Sequence, residues 1–117
     1  MIDIVKHVAE LLAPLDAQIE LSYRDTSVTL PLIVLSVISD VAETNGCMEY
    51  FTRQTVQIDA YTLDKDETYA LADDIDDIMT TNGFTRSNAF PLTEGELERY
   101  QMTYKCNIDA SHARIMV

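Results

Sequence analysis

The sequence predicts a single α+β domain in which a roughly four-stranded, mainly antiparallel sheet carries two helices on one face. Three observations predict this class: two segments have apolar residues at helical spacing, two others alternate apolar and polar residues, and Asn45-Gly46 separates two apolar runs. The expected order is helix, strand, strand, helix, strand, strand, since each amphipathic helix can bury its apolar stripe against the sheet. The 117 residues suit one domain, placed at residues 1–110, with 111–117 as a C-terminal tail that is either mobile or part of an interface.

The first helix is predicted over residues 2–13. Ile4, Val8 and Leu12 recur at helical spacing, and Pro14 ends the pattern because proline cannot continue a helix. Residues 15–29 have weaker periodicity and a polar end, so we expect a loop with one edge strand there.

Two neighbouring strands follow. Residues 32–41 are almost continuously apolar and rich in β-branched side chains, which is typical of a central strand covered on both faces. Asn45-Gly46 predicts a hairpin turn. The next strand, at about residues 48–62, places Val56, Ile58 and Ala60 on one core face, and its first half is expected to protrude or to be mobile.

The second helix is predicted to begin at Asp64. The Asp64 carboxylate has the spacing to accept a hydrogen bond from the amide of Glu67, as in a capping box, and Gly83 suits a left-handed C-terminal cap. The apolar stripe of this helix consists of Leu71, Ile75, Ile78 and Met79.

Two further strands complete the expected sheet. Residues 84–92 form the third, and Thr93 to Glu96 form a turn. From Tyr100 the alternation is strict and predicts the fourth strand, whose core face consists of Tyr100, Met102, Tyr104, Cys106 and Ile108.

The chain is strongly acidic, with 20 acidic residues against 8 basic ones and a net charge of −12. Such a charge repels nucleic acid and anionic lipid, so sequence-specific nucleic-acid binding is not expected. Four carboxylates, Asp73, Asp74, Asp76 and Asp77, lie on one side of the second helix. They do not form a calcium loop: counting from Asp64, positions six and twelve hold Tyr69 and Ile75, where glycine and glutamate are required. This face is expected to meet cations, a basic partner or water.

No set of residues predicts catalysis, a cofactor or a metal site. His7 and His112 lie at opposite ends of the sequence, and no Gly-x-Ser-x-Gly elbow or glycine-rich phosphate loop occurs. Cys106 is followed by His112, but no second ligand pair completes a zinc site, and Cys47 and Cys106 are expected to be reduced. We therefore predict a non-enzymatic protein.

The sequence also predicts synthesis in the cytoplasm and no association with membranes. The richest apolar stretch, residues 30–38, is too short to span a bilayer, and residues 1–4 lack the pattern of an export signal.

Several motifs, taken in order, resemble a known family. They are Leu30-Pro-Leu-Ile-Val34, Thr55-Val-Gln-Ile-Asp-Ala-Tyr61, the helix with Ala70, Leu71, Ala72 and Ile75, then Asn82-Gly-Phe84 and Glu98-Arg-Tyr-Gln-Met-Thr-Tyr104. Over residues 1 to 108 the chain resembles the tail-completion or tail-terminator proteins of long-tailed bacteriophages and prophages. Each motif is short, and the segments 45–53 and 111–117 depart from the family pattern.

The resemblance implies a structural protein of the virion. Such a protein forms a ring, commonly a hexamer, at the head-proximal end of the tail tube, where it stops tube polymerisation and joins the tail to the head connector. The implied partners are other copies of the chain, the tail-tube protein and the head-connector protein. The resemblance also implies that DNA can pass through the ring, and that the protein is located first in the cytoplasm of the bacterial host and then in the virion tail.

Two segments are candidate interfaces in such a ring, because ring subunits expose edges and apolar rims. They contain Tyr50, Phe51 and Arg53 near the hairpin, and Ile115, Met116 and Val117 at the C-terminus. Packing of these residues against the domain's own core is an equally open interpretation. The four helix aspartates are candidate channel-lining residues, since a negative wall lets DNA pass without adhering.

Two other functions remain open at this point. An acidic inhibitor or DNA mimic would present carboxylates in one continuous stripe to a basic partner, with binding that weakens steeply with salt. A small cation-binding regulatory domain would show a thermal shift on addition of calcium or magnesium.

Overall fold

The structure, a computed structural model, is an α+β domain with two helices and one sheet, and it describes residues 4–21, 30–44, 50–109 and 114–116. The elements are α1 (Ile4–Leu12), β1 (Gln18–Glu20), β2 (Leu32–Thr44), β3 (Tyr50–Thr62), α2 (Lys65–Thr81), β4 (Thr85–Glu94), β5 (Leu97–Asp109) and β6 (Arg114–Met116). The strands lie in the order β1-β2-β3-β5-β4, and β6 pairs with β5. The predicted fold class is therefore confirmed.

The predicted four-stranded antiparallel sheet matches this arrangement only roughly. The four long strands are antiparallel to their neighbours, but β1 adds a parallel pair along β2, which makes the sheet mixed. The strand β6 adds another pair, along residues 107–109 of β5. Both additional strands have only three residues. The strand β1 is the edge strand expected within residues 15–29, whereas β6 lies in the predicted C-terminal tail and was not expected as a strand.

Both helices pack on the same face of the sheet. The stripe of α1 buries Ile4, Val8 and Leu12, and α2 buries Ala72, Ile75 and Met79. These side chains form one core with sheet residues that include Ile33, Leu35, Val56, Ile58, Ala60, Met102, Tyr104 and Cys106. The predicted core faces of β3 and β5 are thus confirmed over these positions.

The ends of α2 follow the sequence prediction. The Oδ2 atom of Asp64 accepts a hydrogen bond from the Glu67 amide at 3.4 Å, so Asp64 is the N-cap. After Thr81 the chain leaves the helix through Asn82 and then Gly83, whose φ of 91° favours glycine.

The prediction for β2 is correct only over its first residues. Leu32, Ile33, Val34 and Leu35 are buried, but Val37 and Ile38 are 41% and 53% exposed. In addition, β1 pairs only with residues 32–34, and the β2–β3 register shifts between Val37 and Ser39. Only the start of β2 is therefore central in the sheet.

The sheet extends past the helix layer at one end. The chain turns from α2 into β4 at Thr85, which pairs with Lys105, whereas β5 continues to Asp109. We call the extension the β-arm and define it as residues 39–44 of β2, 50–54 of β3, 106–109 of β5 and all of β6. At about 3.3 Å per residue, four residues of β5 extend roughly 13 Å beyond this point. The molecule is correspondingly long, with extents of 51 × 24 × 24 Å.

The β-arm includes the predicted hairpin. Thr44 of β2 pairs with Tyr50 of β3, while Asn45-Gly46 itself lies outside the described residues. Among the described helices, neither is long and apolar enough to cross a membrane.

Candidate interaction surfaces

The two predicted interface segments come together in the β-arm. Phe51 pairs with Asp109, which also pairs with Arg114 on its other side, and Arg53 pairs with Asn107, which also pairs with Met116. Ile115 lies between these two rungs, opposite residue 108. Residues some 60 positions apart in sequence therefore share one end of the sheet. Of the six candidates, Val117 lies outside the described residues.

An open cleft of about 430 Å³ lies where the β-arm meets the end of α2. Its lining contains two cationic side chains, Arg53 and Lys105, both exposed. The remaining lining residues are Thr80, Gly83, Phe84, Thr85, Cys106 and Asn107, so no described lining residue carries a carboxylate.

The cleft exists because two strands share one edge of β5. The strand β4 pairs with β5 up to Lys105, and β6 pairs from Asn107 onward. Cys106 lies between the two pairings and is buried, and burial raises the pKa of its thiol to about 11. It is a free thiol, and its thiolate is scarce at neutral pH.

The acidic face of α2 divides into two parts. Asp73, Asp74 and Asp77 are exposed. The Asp76 side chain is only 29% exposed, its Oδ1 atom accepts a 2.7 Å hydrogen bond from the Tyr104 hydroxyl, and Arg86 Nη1 lies 3.7 Å from it. Asp76 therefore joins α2 to the sheet, a role that the sequence did not reveal.

Tyr104 is held in its neutral form. Burial, followed by the hydrogen bond to Asp76 and the negative charge of that carboxylate, raises the pKa of Tyr104 well above its usual range. The phenol is thus a fixed donor rather than a titrating group near neutral pH.

The sheet face opposite the helices contains a buried ion pair. The Arg99 Nε atom lies 3.0 Å from Oδ1 of Asp59, which is 4% exposed. Gln57 donates to Asp59 at 2.9 Å, and Arg99 donates to Gln101 at 3.3 Å. Four polar side chains thus form one connected network on β3 and β5.

Apolar side chains flank this network. Leu32, Val34 and Tyr61 form a second, smaller cluster, and the Arg99 guanidinium lies 5.6 Å from the centre of the Tyr61 ring. Alternation along β3 and β5 places Asp59, Tyr61 and Arg99 on the face opposite the predicted core face. The structure places them outward but against one another, because antiparallel pairing brings β3 and β5 into register.

The end of the molecule opposite the β-arm is acidic. A tight turn joins β4 to β5 through Gly95, whose φ is 65°, and the exposed Glu96. Glu98 follows on β5 and pairs with Thr62 at the end of β3, and the start of α2 just after Thr62 adds Asp64, Asp66 and Glu67. Carboxylates near a helix N-terminus are stabilised by its dipole.

The two sheet edges differ. The outer edge of β4 contains a bulge between Arg86 and Asn88, and Pro91, which has no N–H to donate to a further strand. Beyond Val34, by contrast, the outer side of β2 pairs with no other described strand. One edge is therefore protected and the other is open over the described part of the sheet.

No metal centre is assembled by the residues that the structure describes. Among them, no three His, Cys, Asp or Glu side chains are grouped so that they could hold a metal ion. His112 and Cys47, which the sequence analysis considered, lie outside the described ranges.

Comparison with known proteins does not place this chain in a family. No protein-family model matches the sequence, and no curated protein matches it either. A function must therefore be argued from the chain's own sequence and surfaces.

Proposed function

We propose that the chain is a phage tail-terminator or tail-completion protein that assembles into a ring at the head-proximal end of the tail tube. The observation that carries this proposal is the β-arm, which brings two separately predicted interface segments to one projecting end of the sheet. The ring joins the tube to the head connector, and its subunits are copies of this chain, six in the arrangement that the resemblance implies.

A projecting β-arm suits a protein that assembles with other subunits better than it suits a monomer. Contact with a neighbouring subunit removes apolar surface from water. The exposed Val37 and Ile38 at the base of the β-arm are apolar surface of this kind.

The exposed aspartates of α2 are the proposed channel lining. Asp73, Asp74 and Asp77 are free of the structural contact that holds Asp76, so they can face DNA without loss of the fold. A wall of carboxylates repels the phosphate backbone and lets DNA pass.

Sedimentation velocity of the purified chain over a wide range of concentrations, combined with electron microscopy, tests this function. We expect a concentration-dependent species of ring shape. Replacement of Phe51 by Ser in the β-arm should reduce the fraction of the chain found in this ring-shaped species. Phe90 lies on β4 and is 40% exposed, so Phe90→Ser is the matched control away from the β-arm.

A persistent monomer, whether alone or after mixing with assembled tail tubes, would contradict the proposal. The acidic-inhibitor alternative predicts such a monomer, together with binding to a basic partner that weakens steeply with salt. The neighbouring genes offer an independent check: the tail-terminator function predicts a head-connector gene on one side and a tail-tube gene on the other.

A further inference from the structure

The acidic end of the molecule also carries apolar side chains that the domain leaves exposed to water. They are Leu63, Phe90, Leu92 and Leu97, and we call them the end patch. We propose that the end patch docks a different protein, one whose contact surface has apolar side chains flanked by arginine or lysine. The end patch lies opposite the β-arm, so this contact is separate from the proposed ring and does not depend on it.

Strand register brings the side chains of the end patch to one end of the sheet. Leu92 pairs with Arg99, and Leu97 is two positions from Arg99 on β5, so Leu92 and Leu97 are diagonal neighbours on one face. Phe90 is two positions from Leu92 on β4 and lies on that face as well. Leu63 comes directly after β3, whose last residue pairs with β5 one position from Leu97. Three parts of the chain therefore contribute to one apolar area.

The end patch is more exposed than the domain's own packing requires. Leu63 is 65% exposed, Phe90 is 40% exposed and Leu92 is 36% exposed, while Leu97 is half-buried against the smaller apolar cluster. Single apolar residues scattered over a surface are ordinary, but a group of them bordered by charged residues is typical of an interaction site. Contact with a partner removes such a group from water, and this favours association.

The charges beside the end patch favour a basic partner. The exposed carboxylates that adjoin it in sequence are Asp64, Asp66, Glu67 and Glu96. The described cations at this end are Lys65 and Arg99, and Arg99 is held in the ion pair with Asp59. Residues 22–29, which precede β2 and lie outside the described residues, contain one arginine and one aspartate and so add no net charge. The positive end of the α2 dipole, roughly half a unit charge, offsets only part of the acidic excess.

A second copy of this chain fits the end patch poorly. The chain has 20 acidic residues against 8 basic ones, so two copies repel each other on average. Among the described cations, Arg86 lies beside Asp76 and Arg99 beside Asp59, which leaves fewer for a contact with another molecule. A basic partner avoids this repulsion. Arginine suits the contact because its guanidinium can bind a carboxylate through two parallel hydrogen bonds.

Titration of a short synthetic peptide of leucine and arginine into the isotope-labelled chain, followed by NMR, tests the docking surface. The largest amide shifts are expected at the end patch and at Glu96. Polyarginine of equal charge should bind at least about fivefold more weakly, because it lacks the apolar side chains.

Substitutions identify which side chains hold the peptide. Leu63→Ser and Leu92→Ser should each raise its dissociation constant about threefold to fivefold. Leu21→Ser is the matched control, since Leu21 is 59% exposed and follows β1 at the other side of the sheet. Glu96→Gln should raise the dissociation constant about twofold at low salt and less at high salt, whereas Glu10→Gln, at another exposed position, should leave it unchanged. Circular dichroism of each variant establishes that the fold is unchanged.

Three outcomes would overturn the docking surface. Amide shifts centred on the exposed aspartates of α2 would place the peptide there instead. Equal affinity for the peptide and for polyarginine would show that the apolar side chains contribute nothing. Weaker self-association of Leu63→Ser and Leu92→Ser in sedimentation velocity would assign the end patch to a second copy.

Self-association and peptide binding are separate measurements, so the two proposals fail separately. A chain that stays monomeric, alone and with tail tubes, but binds the peptide at the end patch contradicts only the proposed ring. A chain that forms rings but does not bind the peptide contradicts only the docking surface.

Discussion

The Tyr104 hydroxyl donates a 2.7 Å hydrogen bond to Oδ1 of Asp76 and so links the buried face of β5 to the acidic helix α2. Tyr104 is fully buried, and Asp76 is the one aspartate of the four that turns toward the sheet. The bond gives a helix with many carboxylates a fixed attachment to the core.

Removal of the Asp76 carboxylate should destabilise the domain. Asp76→Ala leaves the buried Tyr104 hydroxyl without its acceptor, and hydrogen bonds to charged groups contribute about 1.5–3 kcal/mol. Urea denaturation followed by circular dichroism measures the change. Asp77→Ala, at an exposed position one residue away, is the control and should leave the midpoint nearly unchanged. Equal effects of the two variants would contradict the structural role of Asp76.

Burial of Tyr104, together with the same bond, predicts a loss of stability at alkaline pH. The folded state raises the pKa of Tyr104, so only the unfolded state ionises this group once the pH exceeds the ordinary tyrosine value of about 10. The contribution of neutral Tyr104 to the free energy of unfolding is fully present below that pH and is lost progressively above it. In Tyr104→Phe the fall in stability between about pH 9 and pH 11 should therefore be shallower. A curve parallel to that of the unmodified chain would show that Tyr104 ionises equally in both states.

The ion pair between Asp59 and Arg99 should behave as a coupled unit. Breaking a buried pair by removing one partner typically costs about 3–5 kcal/mol, because the remaining charge is left uncompensated. Arg99 is partly exposed, so we expect the lower end of this range, about 3 kcal/mol, for Arg99→Met.

A double-mutant cycle with Asp59→Asn measures the coupling directly. The double variant should be clearly less destabilised than the sum of the two single variants. Additive effects would show that the two groups contribute independently, and the network around Gln57 and Gln101 would then have to account for the stability of this face.

The Cys106 thiol should react slowly with alkylating reagents. Its pKa of about 11 and its burial leave little thiolate at pH 7.5. In a Cys47→Ser background Cys106 is the sole thiol, so its rate with iodoacetamide can be measured by mass spectrometry in the folded and the urea-unfolded chain. A folded rate at least tenfold below the unfolded rate is expected. Equal rates would mean that the cleft opens freely beside Cys106.

The sequence predicted those helices and strands whose pattern lies within one continuous segment of the chain. The helical spacing of Ile4, Val8 and Leu12 identified α1, and Asp64 marked the start of α2 because an N-cap is a contact between near neighbours. The alternation from Tyr100 onward identified the core face of β5 for the same reason.

Features that depend on partners distant in sequence were not predictable in this way. Alternation shows which side of a strand a residue occupies but not what it meets there, so the contact between Asp59 and Arg99 was missed. Asp76 looked like its neighbours because helical position alone does not reveal the hydroxyl of Tyr104. The cleft likewise depends on the register of β4 and β6 along β5.

The difference between the two sheet edges limits how copies of this chain can join. Continuous sheet growth, with β2 of one copy beside β4 of the next, is disfavoured because Pro91 and the bulge near Ser87 blunt the β4 edge. Pairing of β2 with β2 would use up both open edges and stop at two copies. A blunted β4 edge therefore disfavours fibre growth by repeated addition of strands at that edge.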